Sequence, residues 1–154
     1  MTLEVDVQLA SDEDDLPDPA ELRSWADAAV SGLQKDAELT IRIVDEAESA
    51  LLNDSYRKKP GATNVLSFPF EPPPGVSISL LGDVVICAPV VRREAEEQSK
   101  SLSSHWAHMV VHGALHLLGY DHELASDADE MEAVETRILG QLGFDNPYEP
   151  RGIS

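Results

Sequence analysis

The sequence predicts an α+β domain in which one mixed sheet of four or five strands is packed with about five helices. Period-two runs of alternating apolar and polar residues are interleaved with runs whose apolar residues recur every three to four positions, so strands and helices follow one another along the chain. The chain has 154 residues, 42% hydrophobic and 26% charged, a size and composition that suit one core. Residues 1–154 are therefore read as a single domain.

Leu3, Val5, Val7 and Leu9 alternate with polar residues, which makes residues 2–9 a strand with one buried face. After the acidic turn from Ser11 to Asp18, Pro19 opens a helix through about Leu33, with Asp18 as its cap and Leu22, Trp25, Ala26, Ala29, Val30 and Leu33 on its apolar face. Leu39, Ile41 and Ile43 alternate as a second strand, and Asp45 caps a helix reaching Arg57. Pro60 and Gly61 break that helix. Residues Asn64 to Phe70 read as a strand, and Pro69, which has no N–H to give a neighbour, argues for an edge position or an early end. A stiff loop follows from Glu71 to Gly75, then a short strand from Val76 to Leu80 and a strongly apolar, central one from Gly82 to Ala88. Pro89 starts a helix to about Ser101, Ser103 or Ser104 caps another to about Leu118, and Asp127 begins the last, to about Leu142.

Net charge is −18, from 29 acidic and 11 basic side chains, and a field of that sign repels phosphate-rich partners in general. Five basic residues nevertheless cluster as Arg57-Lys58-Lys59 and Arg92-Arg93, which leaves room for a local basic patch. The apolar runs fall far short of the roughly 20 residues a membrane span needs, and the first residues carry no export-signal pattern. A cytoplasmic protein without membrane contact is expected. Cys87, the one cysteine, lies in an apolar run without a cationic neighbour and reads as a buried core thiol, not a nucleophile.

All five histidines crowd into one segment: His105, His108, His112, His116 and His122. At 100° per residue the first four span a sector of roughly 80°, while Trp106, Ala107, Val110, Val111, Ala114, Leu117 and Leu118 cover the rest of the helix. A helix apolar on most sides is buried, so its imidazole stripe must face a cleft. His112 and His116 lie one turn apart and can share an ion, whereas His108 and His116 are separated by roughly 12 Å along the axis. Gly119 sits where the helix should reverse, which lets His122 swing back as the third ligand. Three neutral imidazoles leave a tetrahedral zinc one open position, where a bound water is acidified to a pKa of about 7. His105 and His108 are read mainly as packing or solvent-contacting groups, with support of a ligand or contact with substrate as the alternative.

The same offsets occur in the metzincin peptidase pattern His-Glu-x-x-His-x-x-Gly-x-x-His. This chain has Gly113 where those enzymes carry the glutamate general base, so peptide hydrolysis by that route lacks its proton acceptor.

The run His112-Gly-Ala-Leu-His-Leu-Leu-Gly-Tyr-Asp-His122 resembles the signature of the YbeY family of bacterial metal-dependent endoribonucleases. The resemblance extends to Asn53-x-x-Tyr56-Arg57, to Thr63 through Phe68, to Leu81-Gly82-Asp83 and to the acidic helix after His122. It implies a zincin-like metal helix and one zinc ion per chain, held by His112, His116 and His122, with Arg57 acting in RNA cleavage. A guanidinium can bind two phosphate oxygens at once, and Lys58 and Lys59 could hold flanking phosphates; the alternative for all three is a solvated helix end favourably placed against the helix dipole. The implied activity is single-strand-specific cleavage of precursor ribosomal RNA, in 16S 3′-end maturation and ribosome quality control, on or near ribosomal proteins. Asn64 departs from the aspartate many relatives carry. Asp83 and Asp121 are read as orienters of a ligand imidazole or as turn and cap residues. Two alternatives stay open, a metallopeptidase of metzincin-like spacing and a ribosome assembly factor whose zinc is not catalytic.

Overall fold

The computed structural model describes residues 3–30, 36–75, 79–120 and 125–148. Its elements run β1 (Leu3–Ala10), α1 (Pro19–Val30), β2 (Ala37–Val44), α2 (Glu46–Arg57), β3 (Val65–Pro69), β4 (Leu80–Cys87), α3 (Ala88–Glu97), α4 (Leu102–Leu117) and α5 (Ala125–Gln141). The sheet is mixed, in the order β1-β2-β4-β3, with β3 alone antiparallel to its neighbour. As expected, β4 is central and the Pro69-bearing β3 is an edge.

Leu39, Ile41 and Ile43 of β2 and Val84 and Ile86 of β4 share one face, where they pack under α1, α4 and α5. Val85 and Cys87 point the other way, with Leu66 of β3 and Leu52 of α2. The α4 helix therefore lies over the sheet, with Trp106, Val110, Val111, Ala114 and Leu115 all 2% exposed or less. Cys87 is buried in the smaller cluster and burial pushes its thiol pKa up, as a core residue requires.

Capping follows expectation at α1 and differs from it at α2 and α4. Asp18 caps α1 by accepting from the Ala20 N–H at 2.9 Å, and Glu21 returns the favour to the Asp18 N–H. Asp45 does sit at the N-cap of α2, but its carboxylate makes no cap bond. It accepts instead from the Ser11 hydroxyl and the Asp12 N–H, pinning the turn after β1. The cap of α4 is Ser101, whose hydroxyl accepts from the Ser104 N–H at 3.1 Å, and not Ser103 or Ser104. That shift follows from α3 ending at Glu97, earlier than expected, where Ser99 takes φ +56° and reverses the chain. The strand expected over residues 76–80 lies partly outside the described residues, as does the end of the first helix beyond Val30.

Candidate metal centre

Glu135 organises the site. On α5 it occupies one stripe with Met131, Ile138 and Leu139, and it is fully buried. Its Oε1 accepts from His112 Nδ1 at 2.9 Å, and its Oε2 accepts from His108 Nε2 and from the Tyr148 hydroxyl, both at 2.6 Å. Burial alone would push the carboxyl pKa up, but the His108 and His112 hydrogen bonds outweigh it and hold the pKa at about 2. Burial keeps His108 below the usual histidine range and pushes the Tyr148 phenol far up, so both remain neutral donors.

An ionised carboxylate only accepts, so His112 must carry its proton on Nδ1 and present the lone pair on Nε2. That Nε2 lies 3.2 Å from Nε2 of His116. Two imidazoles bound tetrahedrally at about 2.0–2.1 Å from one zinc ion would have nitrogens about 3.3 Å apart. The pair therefore fits a metal, with Glu135 behind it as the carboxylate that fixes tautomer and ring. His108, His112 and Glu135 also bring one ligand atom each to within 4.8 Å of one another and could themselves hold an ion. An ion there would have to displace the hydrogen bonds that now fill that space.

Behind His116, α4 stops as expected: Gly119 takes φ +101°, and the Tyr120 N–H bonds back to the Leu115 carbonyl at 3.1 Å. Asp121 and His122 lie outside the described residues. The paired imidazoles open into a cleft of about 590 Å³ whose walls include Tyr56, Arg57, Asn64, Ser67 and Tyr120. Arg57 reaches that cleft because Ser49 and Asn53, buried one turn apart on α2, clamp the following loop. Ser49 bonds Thr63 twice at 3.0 Å, and Asn53 donates to the Gly61 carbonyl at 2.9 Å.

His112, His116 and Arg57 are thus brought together, whereas Lys58 and Lys59 are exposed at the end of α2 and do not line the cleft. Lys58 takes φ 59° as the helix C-cap. Asp83 is exposed on β4, next to Val84, whose side chain faces α4. Among the described residues the carboxylate that bonds His112 is Glu135, which sequence reasoning passed over. Met131-x3-Glu135-x2-Ile138-Leu139, an acid set in a helical apolar stripe, is the signal that would have found it. His105, buried, bonds Glu94 at 2.9 Å, and Glu94 accepts from the Asn64 amide at 3.1 Å. Burial would raise the Glu94 pKa, but these two bonds outweigh it and lower it. An aspartate at position 64 would face that carboxylate with another, which gives the amide a physical reason.

Glu135→Gln is expected to weaken metal binding at the paired imidazoles by roughly 10- to 100-fold, since an amide cannot accept from both imidazoles and the phenol at once. Competition against a chelator of known affinity measures it; unchanged affinity would remove Glu135 from the site.

Fold and site together define a single α+β domain with a cluster of histidines and a carboxylate that could hold a metal ion, its His112 and His116 lining an open cleft. A family model described as Endoribonuclease YbeY matches residues 7–143. A curated protein of Alteromonas mediterranea named Endoribonuclease YbeY is 58% identical over 156 residues, covering 97% of this chain and 98% of that protein. The chain belongs to the endoribonuclease YbeY family. The solution structure of a Thermotoga maritima protein aligns with a TM-score of 0.58 at 21% identity, covering 93% of this chain and 99% of that one, which shows the shared fold. Among the described residues no helix is long and apolar enough to cross a membrane.

Proposed function

We propose that this chain is a zinc-dependent, single-strand-specific endoribonuclease of the cytoplasm. It acts in ribosomal RNA processing, at 16S 3′-end maturation and in ribosome quality control, and residues 1–154 form its one catalytic domain. The observation that supports this most is the meeting of two imidazole nitrogens 3.2 Å apart with Arg57 in one cleft. His112 and His116 would hold the ion with His122, and all-imidazole ligation favours zinc over magnesium or calcium. Zinc supplies Lewis acidity at a phosphoryl oxygen and acidifies a water near neutral pH. Arg57 binds two non-bridging oxygens of the scissile phosphate and stabilises the charge they gather in the transition state. Lys58 and Lys59, outside the cleft wall, take the phosphates that flank it.

Zinc-loaded protein should cleave single-stranded RNA, leave duplex RNA and a peptide library intact, and lose activity to a chelator. Arg57→Ala is expected to lower kcat/KM by about 100- to 1,000-fold with zinc content unchanged. Metal-dependent peptide cleavage with inert RNA would overturn the assignment. The net charge of −18 favours a second reading, an assembly factor that docks basic ribosomal proteins around a non-catalytic zinc. Under that reading Arg57→Ala leaves ribosomal RNA ends normal in cells while metal removal unfolds the protein.

A further inference from the structure

Next to Arg57, on the last turn of α2, Tyr56 is 53% exposed although it is a large aromatic side chain. Its ring leans on half-buried Phe68 of β3, with centroids 4.5 Å apart and planes at 58°. Tyr56 lines the same cleft as His112 and His116, and Tyr120 lines it too. We propose that Tyr56, backed by Phe68, is a stacking platform for an unpaired nucleobase beside the scissile phosphate.

The proposal rests on the endoribonuclease reading and names how that site takes its substrate. A chain with 29 acidic against 11 basic side chains cannot hold RNA by broad phosphate attraction, so the few phosphate contacts of Arg57, Lys58 and Lys59 have to be supplemented by contacts that carry no charge. A base face on an aromatic ring is such a contact, and it tolerates any sequence because every base has a π-face. Phe68 holds the tyrosine ring in place beforehand, so less freedom is lost when a base arrives. In a duplex both faces of each base are already covered by neighbours. Only an unpaired base can reach the platform, which supplies a physical basis for single-strand preference.

The test measures binding apart from cleavage. Zinc-loaded protein is titrated into a fluorescein-labelled short single-stranded RNA, 2′-O-methylated to resist cutting, and into the same backbone with abasic sites. Tyr56→Ala and Tyr56→Leu are expected to weaken binding of the intact strand by roughly 10- to 100-fold, while Tyr56→Phe retains it. The abasic strand should bind wild type and Tyr56→Ala alike. The slope of affinity against salt should be unchanged in Tyr56→Ala and shallower in Arg57→Ala, because only the second loses a phosphate contact. Circular dichroism and zinc content matching wild type establish that the variants fold. Wild-type affinity in both Tyr56→Ala and Tyr56→Leu, with RNA still cleaved, would overturn the platform alone. A wild-type protein that neither binds nor cleaves single-stranded RNA would overturn the endoribonuclease reading and the platform with it.

Discussion

Replacing His116 with alanine is expected to remove the metal and RNA cleavage together. Outer groups that merely orient a ligand change affinity by roughly 10- to 100-fold, so loss of a direct ligand should exceed about 100-fold. The same variant separates two placements of the ion. If zinc sits between the Nε2 atoms of His112 and His116, His116→Ala loses it, whereas His108→Ala removes only one of three donors to Glu135 and keeps most of it. If the ion sits instead among His108, His112 and Glu135, the outcomes exchange. Equilibrium dialysis of zinc with both variants, alongside cleavage of single-stranded RNA, reads the difference directly. Full zinc occupancy in His116→Ala with activity intact would sink the paired-imidazole site. The hydrogen bonds favour the pair: Glu135 already accepts three donors, and its ionised form dictates which nitrogen of His112 faces the cleft.

Sequence patterning made the four strands and five helices of the described residues legible, because burial on one face imposes periods of two and 3.6. The sheet order was not legible: adjacency of β2 and β4 follows from a crossover through α2 and β3 and leaves no local trace. Boundaries failed where a residue did something its type does not announce. Ser99 takes a positive φ without being glycine, so α3 ends early and the serine cap moves to Ser101. In the site, His112 and His116 were legible from their spacing alone. Glu135 was hidden for the opposite reason, since one buried acid among 29 acidic residues stands out only against the apolar stripe that carries it. Placing Arg57 at the same cleft required long-range clamps, Ser49 to Thr63 and Asn53 to Gly61, that no spacing reveals.

Gly113→Glu, which would restore the general base of the metzincin pattern, is expected to prevent stable folding instead of creating a peptidase. A Cβ at position 113 would lie 2.5 Å from Cγ1 of Val84 and 3.2 Å from Cγ2 of Val65. Val84 is β-branched and 1% exposed, so it cannot rotate away cheaply. The contact is fixed from the other side too, because the Ser67 hydroxyl donates to the Gly113 carbonyl at 2.9 Å and holds α4 against β3. Even Gly113→Ala, which gains about 1 kcal/mol of helix propensity, should lose about 1–3 kcal/mol to overpacking. Glutamate adds to that strain a carboxylate driven between two valines, at several kcal/mol, comparable to the roughly 5–15 kcal/mol that stabilises a whole domain. Urea unfolding followed by circular dichroism should show Gly113→Ala modestly destabilised and Gly113→Glu without a cooperative transition. A stable Gly113→Glu protein would show that α4 can lift from the sheet. The absence of the peptidase base is therefore a packing requirement: the position that would carry it lies tight against Val84 of β4, with no room for a Cβ.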